Sequence, residues 1–187
     1  MRIVGGQFRG VEIVAPAGQA TRPTSDRVRE SLFNILLHGI DGFSIDGARV
    51  LDLFAGTGAL GIEALSRGAA FALFIDDAVE ARGAMRENIE KMRLTGATKL
   101  YRRDATDLGA AGSIAQFNLV FADPPYGKGL GEKALASSLT GGWLAPGAIV
   151  ILEERAGVEI GQITGLDLLD SRDYGDTTIR FFACTKV

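Results

Sequence analysis

From Arg49 onward the hydrophobic positions switch back and forth between two periods. Short β-rich runs, "RVLDLFA", "FALFID", "KLYRRD", "FNLVFAD" and "GAIVILEE", alternate with stretches of helical spacing, "GALGIEALSRG", "AVEARGAMRENIEKM" and "GLGEKALASSL". Parallel strands need crossover connections, and these helices supply them, so the pattern predicts a doubly wound α/β domain with a mostly parallel sheet. The chain closes differently. "GLDLLDSRDYGDTTIRFFACTKV" offers two strands joined by "RDYGDT" with no helix between them, which predicts an antiparallel hairpin at one edge. Upstream, "RIVGGQFRGVEIVAP" alternates around "GGQFRG" and reads as a β-hairpin. "RPTSDRVRESLFNILLHG" then predicts a helix capped by Thr24 or Ser25, with Val28, Leu32, Phe33, Ile35 and Leu36 as its apolar face and Gly39 as its stop. His38, the only histidine, falls in the last turn, where a cation suits the helix dipole. The chain thus divides into a small hairpin-helix extension, residues 1–40, and a main domain, residues 41–187.

Composition narrows the class. A chain of 187 residues, 47% hydrophobic and 23% charged, suits one ordinary globular domain. No apolar run approaches the roughly 20 residues that a bilayer span needs, and "MRIVGGQFRG" lacks the apolar core of a secretory signal, so a cytoplasmic location is expected without a membrane partner. The single cysteine, Cys184, excludes an internal disulfide and a multi-cysteine metal site; within "IRFFACTKV" it reads as a small core residue, and no metal is expected. A net charge of −3 argues against a general electrostatic grip on nucleic acid. Its distribution changes that picture: residues 1–37 carry five arginines against three acids, so they are net positive by two and the remainder is net negative by five.

Candidate chemistry begins at "LDLFAGTGALG". Gly56, Gly58 and Gly61 have G-x-G-x-x-G spacing between the first strand and its helix, where glycines allow a tight turn and close approach of a ligand to backbone N–H groups. Asp76 ends the second strand twenty positions after Gly56, where an acid can accept hydrogen bonds from both ribose hydroxyls of an adenosine cofactor; neighbouring Asp77 is an alternative. Asp52, with Phe54 beside it, lies just before the glycines. A carboxylate there would repel a pyrophosphate but favour the ammonium and sulfonium groups of S-adenosylmethionine. Asp104, in "RRDATD", is placed either to reach the adenine amine or to hold a surface turn.

"DPPY", Asp123 to Tyr126, follows the fourth strand, expected beside the first at the switch point where ligands bind. An exocyclic amine on a nucleobase is a poor nucleophile because its lone pair is delocalised into the ring. Hydrogen bonds to a carboxylate, Asp123, and to the Pro124 carbonyl, stiffened by Pro125, would localise that lone pair, while Tyr126 offers a ring on which an unstacked base can lie.

These segments resemble the RsmD family of class I S-adenosylmethionine-dependent methyltransferases, which methylate the N2 amine of a guanine in small-subunit (16S) ribosomal RNA. The resemblance runs through "RIVGGQFRG", "RPTSDRVRESLFNIL", "LDLFAGTGALGIEALSRGA", "DPPY" and "DYGDT", in that order. It implies a Rossmann-like sheet of seven strands with the last one reversed, S-adenosylmethionine as cofactor, and an rRNA substrate within an assembled subunit bound by a monomer. Where the family often has glutamate at the ribose, this chain has Asp76. The arginine-bearing N-terminal segment then becomes the candidate RNA contact, through Arg22, Arg27 and Arg29. An amino methyltransferase of DNA adenine is the nearest alternative, and a dinucleotide-binding oxidoreductase a distant one with no use for "DPPY".

Overall fold

The computed structural model describes residues 1–16 and 24–185. A seven-stranded sheet is built from β1 (Arg49–Leu53), β2 (Phe71–Ile75), β3 (Thr98–Tyr101), β4 (Phe117–Ala122), β5 (Leu144–Arg155), β6 (Leu166–Tyr174) and β7 (Thr177–Cys184), in the order β3-β2-β1-β4-β5-β7-β6. The first five strands are parallel; β7 runs antiparallel between β5 and β6. The doubly wound sheet, its terminal hairpin and its reversed last strand are therefore as expected. Four helices accompany it: α1 (Asp26–His38), α2 (Ala59–Ser66), α3 (Val79–Lys91) and α4 (Leu130–Thr140). None of the described helices is long and apolar enough to cross a membrane.

Handedness explains where the helices lie. From β1 the chain steps outward through β2 to β3, and right-handed crossovers place α2 and α3 on one face; from β4 it steps the other way to β5, which places α4 on the opposite face. Two core layers result. On one, Val50, Phe74 and Phe121 meet Ile62 of α2, Met85 of α3 and Phe33 of α1; on the other, Leu51, Val120 and Leu152 meet Leu135 of α4 and Trp143. Cys184 is buried in the second layer, as its apolar surroundings predicted. The order of strands reverses between β1 and β4, which opens a crevice at their C-terminal ends.

The N-terminal hairpin is as expected, though short. Arg2 and Glu12 form an antiparallel bridge flanked by hydrogen bonds from Ile3 N to the Val11 carbonyl and from Ile13 N to the Met1 carbonyl, both 2.9 Å, and the residues between turn tightly. Four N–H groups of that turn go to α2. Val4 and Gly5 donate to the two carboxylate oxygens of Glu63 at 2.9 and 2.8 Å, Gln7 to the Ser66 carbonyl at 2.7 Å and Phe8 to Ser66 Oγ at 2.9 Å. Gly6 is required at this contact: its φ is +73°, and a Cβ would stand 1.9 Å from the Ser66 carbonyl oxygen. Ile3, Ile13, Leu32, Phe33 and Leu36 share the core layer of the sheet, so residues 1–40 have no core separate from that of residues 41–187.

Helix α1 starts as its pattern predicted. Ser25 is the cap, its Oγ accepting from Val28 N at 3.2 Å, and His38 stands exposed in the last turn. Arg29 is the departure: it lies on the apolar face, fully buried, with its guanidinium on Asp26 Oδ1 at 3.0 Å, on the Arg2 carbonyl and 3.5 Å from Glu63 Oε2. Glu63, itself fully buried, also receives Arg67 Nε at 2.8 Å. One carboxylate thus joins the N-terminal segment, α1 and α2. Replacing Glu63 with alanine strands a buried guanidinium and two backbone donors, and chemical denaturation is expected to show a loss of about 3–5 kcal/mol; a loss below about 1 kcal/mol, the worth of an exposed pair, would mean the segment is held elsewhere.

Candidate active site

Strand β1 delivers Asp52 to the crevice, where it is 1% exposed on the same face as Phe74 and Phe121. Its Oδ2 accepts the Gly61 N–H at 3.0 Å. Burial pushes its carboxyl up to about 8, a rise that the Asp76 charge adds to and the Gly61 hydrogen bond opposes. Beyond β1 the chain turns sharply through Phe54 (φ +57°), Gly56 (φ +56°) and Gly58 (φ +79°). Left-handed geometry at a phenylalanine costs energy and marks a backbone held by its surroundings.

The three glycines divide their work. Gly56 N donates to Asp76 Oδ2 at 2.8 Å, while Asp76 Oδ1 accepts Ala78 N at 2.9 Å, so the acid at the end of β2 braces the loop at its tip. Side-chain space beside Gly56 is open to 3.9 Å. Gly58 caps α2, where a Cβ would stand 3.0 Å from Met85 Cγ. Gly61 is buried, and a Cβ there would stand 2.4 Å from the Phe74 ring, so this third glycine serves the seating of α2 on β2. Asp77 is exposed and turned away from the loop's hydrogen bonds, its carbonyl accepting from Arg82 Nη1 at 2.6 Å. Asp104 takes the second of its two expected roles: β3 ends at Tyr101, three residues earlier, and Asp104 is an exposed acid that closes its own turn on Thr106 N (2.8 Å) and Oγ1 (2.7 Å), which hold its carboxyl below the usual range.

Across the crevice, β4 ends at Asp123, half-buried and adjacent to β1. Burial pushes its carboxyl well above the ordinary range, and the charges of Glu153, Asp52 and Glu154 push it further. Pro124 is buried and Pro125 exposed. Two consecutive acids of β5 hold the loop that follows, one on each face of the strand. Glu154 Oε1 accepts Gly127 N at 2.9 Å, and Glu153 accepts the Tyr126 hydroxyl, which also lies 3.1 Å from Thr177 Oγ1. Burial and the Glu153 bond raise the Tyr126 phenol, so it stays neutral.

Glu153 and Glu154 carry no signal of a role in the sequence beyond closing the apolar strand "GAIVILEE". They are 4% and 2% exposed. The two acids in a row after "AIVIL" were the available signal.

Among the described residues, no ion pair involves Asp52, Asp123, Glu153 or Glu154. A carboxylate buried without a cation, in contact with a glycine turn, fits a ligand that brings positive charge of its own, such as the sulfonium and ammonium of S-adenosylmethionine; it does not fit a pyrophosphate.

The expected RNA-contacting arginines divide three ways. Arg27 is exposed on α1, Arg22 lies outside the described residues, and Arg29 is corrected, because its burial against Asp26 and Glu63 leaves nothing to offer a phosphate.

The raised Asp52 carboxyl sets a sign for stability. Folding favours its neutral form, so the site adds nothing unfavourable below the ordinary carboxylate range and costs increasingly as pH rises toward about 8. Asp52→Asn is therefore expected to stabilise the free protein at pH 8.5 by roughly 1–3 kcal/mol, a tenfold change in proton affinity being about 1.4 kcal/mol, with little effect at pH 4.5. Thermal unfolding at the two pH values checks this; equal effects at both would mean the carboxylate is not desolvated.

The family model described as "Conserved hypothetical protein 95" matches residues 1–183. Ribosomal RNA small subunit methyltransferase D of Escherichia coli K12 is 39% identical over 153 residues, covering 82% of this chain and 74% of that one, and YlbH of Bacillus subtilis is 37% identical over 187 residues, covering 97% and 98%. Among solved structures, the Escherichia coli protein yhhF superposes with a TM-score of 0.83 at 33% identity, over 99% of this chain and 98% of that one. The match over nearly the whole length, to the family model and to relatives of this identity, shows that the chain belongs to the RsmD family of rRNA methyltransferases.

Proposed function

We propose that this protein transfers a methyl group from S-adenosylmethionine to the exocyclic N2 amine of a guanine in small-subunit ribosomal RNA, acting as a monomer on an assembled subunit. The observation that carries the reading is the pairing of a buried, unpaired Asp52 on β1 with the Asp123–Tyr126 loop on adjacent β4. The name of the Escherichia coli relative supports the substrate class.

When bound, the cofactor supplies an electrophilic sulfonium methyl and leaves as a neutral thioether. Asp52 would hold the cationic end, and Asp76, at the tip of the glycine turn, would exchange its hydrogen bond with Gly56 for ribose hydroxyls. A positive charge beside Asp52 would lower the proton affinity of Asp123 and favour its acceptor form. Asp123 would accept from the N1–H and N2–H edge of guanine and the Pro124 carbonyl from the remaining amine hydrogen, leaving the lone pair of N2 free to take the methyl, with the proton that N2 then sheds passing to the Asp123 carboxylate. Adenine would turn a ring acceptor toward the same carboxylate, which favours guanine. Tyr126, neutral and half-buried, carries the unstacked base. Of the three candidate arginines, Arg27 is the one described and exposed to a phosphate, and Asp104 is a candidate for the adenine edge once its turn on Thr106 opens.

Tritiated methyl from S-adenosylmethionine, offered to small subunits from cells lacking the protein, is expected in N2-methylguanosine after digestion to nucleosides. Asp123→Ala should lower that transfer by about 100-fold or more, the range seen when one aligned polar group is removed from a catalytic site, while cofactor binding persists. Label in adenine, or retained activity in the variant, would contradict the proposal.

A further inference from the structure

Three segments far apart in sequence meet around Glu153. Thr24 and Ser25 arrive from the start of α1, Tyr126 from the loop after β4, and Tyr174 and Thr177 from the facing ends of β6 and β7; together they enclose a pocket of about 140 Å³. Glu153 itself is 4% exposed. One carboxylate oxygen accepts the Tyr126 hydroxyl and the other accepts Thr24 Oγ1 at 2.6 Å. The same tyrosine hydroxyl lies 3.1 Å from Thr177 Oγ1, and Ser31 Oγ lies 2.7 Å from the Tyr174 hydroxyl, which fastens α1 to the terminal hairpin.

Burying a carboxylate at the end of an apolar strand is costly, and burial raises this one. A hydrophobic residue would serve the fold better, so the acid calls for a use. Its two donors suggest one. A stacking ring needs only its π face to attract a base, and phenylalanine provides that. An in-line transfer needs more, because the base must rest at one height and one tilt. Tyr126 is fixed at both ends, by its backbone next to two prolines and by its hydroxyl on Glu153 and Thr177, while Thr24 prevents the carboxylate from swinging.

We infer that Glu153 is a positioning residue for methyl transfer, locking the ring plane of Tyr126 and tying it to the start of the arginine-bearing helix at Thr24. This rests on the methyl-transfer reading above. Its signature is a loss in kcat without a matching loss in KM: stacking keeps the RNA bound, whereas a small displacement of the base, of the kind that costs up to about 100-fold, slows the chemistry. Glutamine keeps the shape and one acceptor for the tyrosine hydroxyl, and the rotating threonine hydroxyl can accept from its amide, so Glu153→Gln should restore the function that alanine removes.

The experiment measures kcat and KM for small subunits with Glu153→Ala, Glu153→Gln, Tyr126→Phe and the double variant Tyr126→Phe/Glu153→Ala, with thermal melting and S-adenosylmethionine binding as controls of folding. Glu153→Ala and Tyr126→Phe are each expected to lower kcat by about 10- to 100-fold, with KM for RNA within about threefold; the double variant should fall no further, and Glu153→Gln should retain most activity. Tyr126→Phe does not depend on the alanine variant folding. If it leaves kcat unchanged in an active protein, or if the two losses multiply in the double variant, the role of Glu153 is overturned while the methyl-transfer reading stands. A wild-type protein that binds the cofactor and methylates no nucleic acid would overturn both.

Discussion

Four carboxylates, Asp52, Asp123, Glu153 and Glu154, crowd the C-terminal ends of three adjacent strands with little water to screen them. Like charges in a low dielectric cannot all ionise cheaply, and the raised carboxyls of Asp52, Asp123 and Glu153 express that constraint. The fold tolerates it because each acid has a hydrogen-bonded or ligand-directed task. Glu153 and Glu154 hold the loop that presents Asp123, and Asp52 braces the helix that follows the glycine turn. The site is thus poised for a cation, and the negative potential that weakens the free protein becomes attraction once one arrives.

Glu63 shows the opposite solution to the same problem. It is as deeply buried as Asp52, yet Arg29 and Arg67 neutralise it and two backbone N–H groups complete its hydrogen bonds. Paired in this way, it contributes structure rather than chemistry: it seats the N-terminal segment against α2 and lets α1 cover the sheet, where the Phe33 and Phe121 rings meet at 5.7 Å. The start of α1 is thereby carried to the rim of the crevice, and Thr24 reaches Glu153. One paired acid builds the wall, and the unpaired acids line the site.

Much of this was legible in the chain because topology follows from period. Alternating strand and helix patterns fixed the parallel sheet, the absence of a helix after β5 announced the hairpin, and the glycine spacing with "DPPY" located both sides of the crevice. Local patterns fell short where a long-range partner took over. "RIVGGQFRGVEI" alternates like the hairpin it forms, but nothing in it shows that the N–H groups of its turn find Glu63 and Ser66, 58 or more residues away. The charge of Arg29 suggests an RNA contact, although Arg29, Leu32, Phe33 and Leu36 share the i, i+3, i+4, i+7 face that all four bury. Glu153 and Glu154 carry no motif; their roles appear only when β5 is set beside β4. Gly61 and Asp104 sat at positions where spacing alone does not separate packing or turn closure from ligand contact.

The central claim is that a desolvated carboxylate at the end of β1 waits for a cationic cofactor. Calorimetric titration with S-adenosylmethionine at pH 7, repeated in buffers of different ionisation enthalpy, measures the protons exchanged on binding. An Asp52 carboxyl raised to about 8 is mostly protonated at that pH, so cofactor binding should release at least one proton, with the raised carboxyl of Asp123 adding to it, and NADH should bind far more weakly. Binding without proton release, or an equal affinity for NADH, would contradict the account.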